Sequence, residues 1–525
     1  MKANFKPLGI AAAVAAVSAG YVGTSVADPT ANNRGDLALV PYYTVENGFN
    51  SGIHIINTTA KTQVVKLRYR RGSDSMDSLD FNLVMSPKDE WVGSIQRDDD
   101  DRIFVQTADT TCTAPAATDG KFFMPDTGSD TTVVNFREGA DEGYIEVIGM
   151  GQTVNELQPI AVSAKHASGV PKDCADVRRN FFRVSTVGDV TENGVHLPAL
   201  TANGKPGTTC ALVVGDPTTY PACGVSGFES TQAGALSVNY FSRDSDGGLE
   251  YGANAVHIDN FNDCAMITNQ EVIVAGATDP LGYLFPDLDG GSPGYACAGL
   301  AAGVDNRGFY DAQVRLDLGQ TSIINDWSTN TSSSFEVTTD WVVTLPGQYT
   351  MTNIEAFIAS LLSPLLPCKA NVCDFRDLPV GLSITYYDRE EGDFTPEEGD
   401  LVVSPAINVA PSGAQLLNEV NVIEWSNGSN EPVLGSNYAV SFQPALDNAD
   451  QQSGWAELTV SPTALKNQSV WSFTAPGVAD PNVPGAPIAV TNTAVPIIGM
   501  AVWQRNFGDN AAANYGRAVD HAYGS

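Results

Sequence analysis

Apolar and polar side chains alternate along many short stretches of this chain. Residues 65–70 run Val-Lys-Leu-Arg-Tyr-Arg, and residues 79–85 alternate in the same way. A period of two places every second side chain on one face, so these stretches predict β-strands with one buried face. Residues 37–45 and 53–56 are similar, and the turn signal Glu46-Asn47-Gly48 lies between them. The N-terminal part is therefore predicted to form an antiparallel meander.

The same alternation predicts seven further strands, at residues 143–148, 235–241, 341–345, 382–387, 420–425, 438–442 and 496–503. Helical spacing is confined to residues 352–362, where Asn353 can cap, and to a shorter segment at 173–181. Gly and Pro, 49 and 30 residues, punctuate the remainder. We therefore expect a mostly β fold of antiparallel β-sandwich type, with a loop-rich, disulfide-stapled middle and one or two short helices.

The first 27 residues have the pattern of a secretory signal peptide. Lys2 and Lys6 precede a weakly apolar stretch at 8–23, and Ser25-Val26-Ala27 has small residues where a signal peptidase cleaves. The stretch lacks the roughly 20 strongly apolar residues of a membrane span. We expect cleavage after Ala27, no membrane span in the mature chain, and export to the cell surface or extracellular space, with the periplasm as the alternative.

The chain is strongly acidic, with 61 acidic and 28 basic residues and a formal net charge of −33. Loss of the signal peptide removes two lysines and no acids, which brings the charge to about −35. Such a field repels nucleic acid and keeps an exported protein soluble. We therefore expect no nucleic-acid partner.

Eight cysteines lie between residues 112 and 373, and an even number in an exported chain favours four disulfides. The predicted pairs join sequence neighbours: Cys112 with Cys174, Cys210 with Cys223, Cys264 with Cys297, and Cys368 with Cys373. No CxxC pair occurs and only five His are present, so a zinc or haem site is poorly supported. The cysteine distribution divides the chain into the signal peptide 1–27, an N-terminal β region 28–110, a cysteine-containing, loop-rich β region 111–375, and a C-terminal β region 376–525. The two cysteine-free flanks are candidates for a single shared sandwich.

One loop has the composition of a calcium site. Asp244, Asp246 and Glu250 are spaced around a glycine turn, and Ca²⁺ prefers such oxygen ligands. An ordinary Asp/Gly loop is the alternative. The acidic runs at 98–101 and 388–400 are interpreted as solvated turns that would bind a cation only if they converge in space.

Catalytic signatures are sparse. HExxH, P-loop and dinucleotide glycine patterns are absent. His166, His196 and His257 have no evident partner and are interpreted as structural or surface residues. Most tryptophans lie in alternating stretches typical of a core, and Trp327 is the one we single out as a candidate exposed, sugar-binding residue. No catalytic residue and no organic cofactor is predicted.

Several short sequence segments resemble those of large exported proteobacterial proteins described as hypothetical or cell-surface proteins. They are Val40-Pro41-Tyr42-Tyr43-Thr44-Val45, Asn57-Thr58-Thr59, Leu79-Asp80-Phe81-Asn82-Leu83 with Ser86-Pro87 and Trp91, Glu142-Gly143-Tyr144-Ile145-Glu146-Val147-Ile148, Thr339-Asp340-Trp341-Val342-Val343-Thr344, Tyr387-Asp388-Arg389-Glu390-Glu391 and Glu419-Val420-Asn421-Val422. The resemblance implies export and a surface role, and it implies no reaction, cofactor or catalytic residue.

Together these features predict an exported structural or adhesive protein of the cell surface or extracellular matrix, which could act as a self-assembling filament or layer subunit. Its expected partners are other copies of itself or other surface components. Residues 28–45 are a candidate strand for donation to a neighbour's sheet edge. The alternative is a secreted carbohydrate-binding or polymer-degrading protein that uses acidic loops and exposed aromatic residues.

Overall fold

The computed structural model describes residues 28–524, apart from 31, 76, 125–138, 179–180, 182–189, 193–194, 198–227, 245–247, 262–263, 268–285, 287, 289–309, 311–312, 315–316, 332–334, 348–379, 389–392, 395–413, 445–451, 462–472, 480–486, 491–494, 509 and 511–512. Strand accounts for 58% of the structure and helix for 6%, in antiparallel sheets with two short helices. The predicted mostly β class is therefore confirmed.

The first part of the chain contains β1 (Asp28–Pro29), β2 (Leu37–Thr44), β3 (Phe49–Asn57), β4 (Gln63–Arg71), β5 (Asp77–Met85), β6 (Glu90–Arg97), β7 (Ile103–Gln106), β8 (Cys112–Ala114), β9 (Lys121–Phe123) and β10 (Glu142–Thr153). The middle contains α1 (Pro159–Ala164), β11 (His166–Ala167), β12 (Val170–Pro171), α2 (Cys174–Arg178), β13 (Val190–Glu192), β14 (Val195–Leu197), β15 (Phe228–Glu229), β16 (Leu236–Asp244), β17 (Leu249–Asn254) and β18 (Val256–Asp259). The last part contains β19 (Gly319–Gln320), β20 (Ser322–Thr331), β21 (Glu336–Thr344), β22 (Val380–Asp388), β23 (Asp393–Phe394), β24 (Ala414–Leu416), β25 (Val420–Trp425), β26 (Ala439–Phe442), β27 (Ser453–Ser461), β28 (Phe473–Ala479), β29 (Pro487–Val490), β30 (Val495–Pro496), β31 (Ile498–Asn506), β32 (Tyr515–Asp520) and β33 (Ala522–Gly524).

Two antiparallel sheets form a sandwich from the N-terminal half of the chain. Sheet 1 has the strand order β1-β18-β2-β10-β4-β5-β8, with β15 beside β10, and sheet 2 has the order β17-β16-β3-β6-β7-β9. Their facing side chains form one core, which includes Val40, Leu67 and Phe81 from sheet 1 and Ile55, Trp91 and Val238 from sheet 2. Alternating strands can bury one face each in this way, so the predicted sandwich is confirmed here.

The predicted N-terminal meander is wrong. β2 and β3 follow one another in the chain but lie in different sheets, so the turn at Glu46 to Gly48 carries the chain across the sandwich. β2 is apolar on both faces, because Val40 faces the sandwich core while Leu37 and Leu39 join a separate outer cluster. A strand that is apolar on both faces suits a sheet that is covered on both sides, and β2 lies inside sheet 1 between β10 and β18.

Sheet 3 has eleven strands and folds over on itself through β20. β20 pairs with β27 along its first seven residues and with β21 along its last three. One arm contains β22, β23, β24, β27 and β33, and the other contains β21, β25, β26, β31 and β32. The arms face each other across Trp341, Trp425, Ile384 and Leu458. The opposite face of the second arm, with Val342, Val422 and Met500, packs into the core of the N-terminal sandwich.

The outer face of sheet 1 is covered as well. The helices α1 and α2 pack there with Val84, Cys112 and Met150. α2 confirms the shorter predicted helix with narrower bounds, whereas the predicted helix at 352–362 lies outside the described residues. Neither of these two short helices could cross a bilayer, and the described part of the chain contains no other helix that could.

The seven further strands that the alternation predicted are all present, as β10, β16, β21, β22, β25, β26 and β31.

The edge strands of the sheets are mostly short or covered by other elements. Sheet 1 ends in β1 and β8, of two and three residues. The edge strand β17 of sheet 2 lies against the edge strand β32 of sheet 3, where Leu249 occupies the space that a side chain at Gly516 would need. Short or covered edges limit pairing with other chains.

Candidate functional site

The predicted Cys112–Cys174 disulfide is confirmed. Cys112 lies in β8 at the edge of sheet 1, and Cys174 begins α2, so the bond fastens the helix to the sheet. Cys264 is also disulfide-bonded. The remaining predicted cysteines, Cys210, Cys223, Cys297, Cys368 and Cys373, lie outside the described residues, so the other three pairs stay predictions.

The predicted calcium residues lie at one hairpin. Asp244 ends β16 opposite Leu249, and Glu250 stands opposite Arg243, with 4.0 Å between the Glu250 carboxylate and the Arg243 Nε. Asp246 lies outside the described residues. No group of three or more acidic, His or Cys side chains suited to a metal ion occurs among the residues that the structure describes. Calcium binding at this hairpin therefore stays a prediction.

The acidic run at 98–101 forms the turn between β6 and β7. The Asp98 carboxylate accepts hydrogen bonds from the backbone N–H and the guanidinium of Arg102, which hold the pKa of Asp98 below its usual value. Asp101 pairs with Arg97 at 2.5 Å. This turn is internally ion-paired, and most of the run at 388–400 lies outside the described residues.

His166 is part of a polar cluster that resembles a catalytic relay only in composition. Its Nδ1 lies 3.2 Å from Ser86 Oγ and 3.6 Å from Asp89 Oδ2, and its Nε2 lies 3.4 Å from Thr110 Oγ1. A Ser-His-Asp relay needs the serine and the carboxylate at opposite ring nitrogens, whereas here both face Nδ1. Thr110 is on the other side, but its hydroxyl donates to the carbonyl of Gly169. The cluster ties the β11–β12 hairpin to two loops.

The other histidines that the structure describes in full are mostly structural. Burial lowers the pKa of His257 and of His521 to about 4, so both are neutral at pH 7. His257 Nε2 accepts a hydrogen bond from the backbone of Val238, and His521 Nε2 donates to the carbonyl of Val342. The side chain of His196 is not among the described residues.

Sequence reasoning missed one GxSxG match, at Gly290-Gly291-Ser292-Pro293-Gly294. In hydrolases this pattern presents a nucleophilic serine on a sharp turn between a strand and a helix. These five residues lie outside the described residues, so the turn between a strand and a helix that the motif requires stays untested.

The most unusual interior feature is a layer of buried charges on the outer face of sheet 1. The buried charge layer consists of Lys66, Arg68, Arg70, Asp77, Asp80 and Glu146. Lys66, Arg68 and Arg70 lie on one face of β4. Asp77 and Asp80 belong to the neighbouring β5, and Glu146 belongs to the neighbouring β10. Three positive and three negative side chains lie together, so the layer is neutral as a whole.

The contacts within the layer are close. Lys66 Nζ lies 2.8 Å from Asp80 Oδ1, and both side chains are 0% exposed. Arg68 donates two hydrogen bonds to the Asp77 carboxylate, of 3.0 and 2.5 Å, and a third to the carbonyl of Pro286. Arg70 bridges Asp77 and Glu146 at 3.0 and 2.9 Å. Buried charges are tolerated only when they are paired in this way.

The electrostatics of the layer are those of a structural network. Burial lowers the pKa of Lys66, and the Asp80 carboxylate opposes that effect. Burial alone would raise the pKa of Asp77, yet the guanidiniums of Arg68 and Arg70 hold it below its usual value. With its charges paired and its side chains away from solvent, the layer positions strands and presents no group to a substrate. The signal that could have revealed it is the basic triplet at alternate positions of β4, followed by aspartates on the next strand.

A second set of carboxylates lies between the N-terminal sandwich and sheet 3. Glu142 accepts hydrogen bonds from Tyr42 Oη at 2.7 Å, Ser436 Oγ at 2.5 Å and the backbone of Asn437 at 2.7 Å. Asp340 stands opposite Glu424 in the β21–β25 pair. Burial is the main cause that raises the pKa of each of these carboxyls, to about 7 for Glu424. Burial at this junction therefore favours the neutral form of each carboxyl.

The prediction that Trp327 is exposed is wrong. Trp327 is 0% exposed and stacks on Trp425 with ring centres 5.1 Å apart, because β20 turns this face toward the second arm of sheet 3. Trp91, Trp341 and Trp425 lie in the core, as their alternating contexts predicted. The most exposed tryptophan among the described residues is Trp455, at 39%.

Trp455 marks the solvent-facing side of the first arm of sheet 3. Its ring stacks on that of Tyr387, its partner across β22 and β27, with centres 4.0 Å apart and planes 15° from parallel. The Trp455 face also presents Ser383, Thr385, Glu457, Thr459 and Asp326, which occupy alternate positions in register with these rings. Aromatic rings beside hydroxyl and carboxylate groups can contact both the apolar and the polar parts of a ligand.

Comparison with known proteins found no matching family, no similar curated protein and no similar solved structure.

Proposed function

We propose that this chain is an exported structural or adhesive protein of the cell surface or extracellular matrix. The observation that carries the proposal is the contrast between its interior and its surface. The charged groups of the buried charge layer are paired with one another as structural contacts, whereas the Trp455 face offers recognition groups to solvent. An acidic, disulfide-bonded β-sandwich body suits a setting outside the cytoplasm.

In this proposal the protein contacts its partner through surface side chains and not by donating a strand to a neighbour's sheet. The candidate donor strand at 28–45 is part of sheet 1 of its own chain, because β2 is a central strand of that sheet and β1 pairs with β18. Deletion of residues 28–45 would therefore unfold the sandwich and would not leave a folded remainder. Short or covered edges in sheets 1 and 2 agree with contact through side chains.

The test uses the purified mature chain, residues 28–525, in sedimentation with insoluble and soluble polysaccharides and in negative-stain microscopy. We expect retention by at least one polymer, or regular assemblies, and we expect Trp455→Ala to weaken retention. Leu157→Ala is the matched control, since Leu157 is 81% exposed in the loop before α1. Dispersed single particles that no polymer retains would overturn the proposal.

The second candidate is a polymer-degrading protein, and the Tyr387–Trp455 pair and the Ser292 sequence match favour it. Release of new reducing ends from a retained polymer distinguishes it from adhesion alone. If Ser292 were a nucleophile, Ser292→Ala would abolish that release without changing retention. Retention with a constant number of reducing ends would leave the adhesive function and remove the degrading one.

A further inference from the structure

A small pocket opens on the β31–β32 pair at one edge of sheet 3. In this antiparallel pair, Trp503 stands opposite Arg517 and Arg505 stands opposite Tyr515. Residues two apart in a strand share a face, so these four side chains lie together. With Val337 and Gln504, they line a pocket of about 120 Å³. We call this the arginine–aromatic pocket.

Both arginines of the pocket rest on aromatic rings. The guanidinium carbon of Arg517 lies 5.0 Å from the ring centre of Trp503, and that of Arg505 lies 5.6 Å from Tyr515 and 5.8 Å from Phe335. A ring attracts a cation that lies within about 6 Å of its centre, and the N–H donors of a guanidinium point outward within its own plane. Contact with a ring does not use these donors, so they stay available to a ligand.

Neither of these arginines has an acidic partner among the residues that the structure describes. The contrast with other described arginines is clear, because Arg68, Arg70, Arg71, Arg97, Arg102 and Arg243 each have a carboxylate within 4.0 Å. Arg505 and Arg517 are exposed, and the chain has 61 acids for 28 basic residues. Two guanidiniums on one face, with no acidic partner in the described part of the chain, thus form a local positive site on a strongly negative protein.

The size and lining of the pocket define what it can hold. Pockets for drug-sized ligands usually enclose roughly 300–1,000 Å³, so this pocket suits one small unit better than a peptide strand. Guanidiniums bind carboxylates through paired, parallel hydrogen bonds. Rings such as Trp503 and Tyr515 provide apolar surface for a saturated ring. A sugar unit that carries a carboxylate meets all three requirements.

We propose that the arginine–aromatic pocket binds a uronic-acid unit of an acidic polysaccharide. The inference rests on the proposed adhesive function and names the class of polymer for it. The two arginines hold the carboxylate, and the aromatic side chains contact the sugar ring.

The test is calorimetric titration of the mature chain with oligogalacturonate and with a neutral galactose oligomer of equal length. We expect binding of the acidic oligomer alone, and a loss of affinity of at least about tenfold in Arg505→Gln/Arg517→Gln, which corresponds to about 1.4 kcal/mol. Arg505→Lys/Arg517→Lys keeps both charges but loses the planar fork, so it should bind more weakly than the native protein and more tightly than the glutamine variant.

Arg243→Gln is the control, because Arg243 is an exposed arginine of β16 and its replacement removes one positive charge, as each of the two substitutions in the pocket does. Its affinity should equal that of the native chain. An unchanged melting temperature in each variant shows that folding is intact, as expected for exposed side chains.

Three results would overturn the proposal: equal affinity for the acidic and neutral oligomers, native affinity in the double glutamine variant, or equal affinity for hexaglutamate, which would indicate an acidic protein partner. Absence of binding to oligogalacturonate by a protein that other polymers still retain would remove this inference and keep the adhesive function. Absence of any retention, together with dispersed single particles in negative stain, would remove both.

Discussion

Breaking the Lys66–Asp80 pair should strongly destabilise the protein. Both side chains are 0% exposed and their charged atoms are 2.8 Å apart. Asp80→Asn leaves the buried charge layer with three cations and two anions, and Lys66→Met leaves it with two cations and three anions. An uncompensated buried charge costs about 3–5 kcal/mol of unfolding free energy. Lys66→Met should fall at the lower end, because Arg68 lies 3.9 Å from Asp80 and partly compensates it.

The double variant Lys66→Met/Asp80→Asn restores neutrality and should cost much less than the sum of the single changes, with a coupling of about 3 kcal/mol. Urea unfolding of a chain of residues 28–525, followed by tryptophan fluorescence, measures all three variants. Arg243→Gln, which breaks an exposed pair, is the control and should change stability by less than about 0.5 kcal/mol. If the single variants matched that control, or if the double variant equalled the sum, the layer would not act as a charge-balanced network.

Four further outcomes are expected. Replacing both Cys112 and Cys174 by Ala opens a loop of 62 residues and should cost about 4 kcal/mol, measured by thermal unfolding of oxidised protein. His521→Gln should make the loss of stability between pH 6.5 and 4 shallower by up to about 1.4 kcal/mol per pH unit, because the folded pKa of about 4 lies below the unfolded value and protonation then favours unfolding. Glu424→Gln should raise the unfolding free energy at pH 8 and leave it nearly unchanged at pH 4, because the folded pKa of about 7 lies above the unfolded value and ionisation then costs stability. If Ca²⁺ binds the β16–β17 turn, chelator should lower the melting temperature of the native chain but not of Asp244→Asn, and equal melting with and without chelator would contradict calcium binding there.

Much of the strand content could be predicted from the sequence, because a period of two is a local property. Residues 420–425 were predicted as a strand and form β25 with the same bounds. Pairing between strands could not be predicted in the same way. The turn at Glu46 to Gly48 is a good hairpin signal, yet partners distant in sequence, β10 and β18, occupy both sides of β2. Which strands meet depends on long-range packing that a local pattern does not contain.

The candidate site was predicted less well, and for physical reasons. Trp327 lies beside polar residues in the sequence and suggested exposure, but the second arm of sheet 3 covers its face of β20. Trp455 was assigned to the core by its alternating context, although it stands on the solvent side of β27. Alternation shows that one face of a strand is buried, but which face it is depends on the neighbouring layers. The cations of β4 had the same ambiguity and proved to be buried and paired with acids on adjacent strands.

The most direct test of the proposed adhesion through sheet 3 compares native residues 28–525 with Trp455→Ala/Arg505→Gln/Arg517→Gln on one array of immobilised acidic and neutral polysaccharides. All three changes lie on exposed side chains of sheet 3, so the variant should keep its native melting temperature. We expect the native chain to be retained by an acidic polymer and the triple variant to lose at least about tenfold in apparent affinity. Equal retention of the two proteins, or retention of neither, would contradict the account.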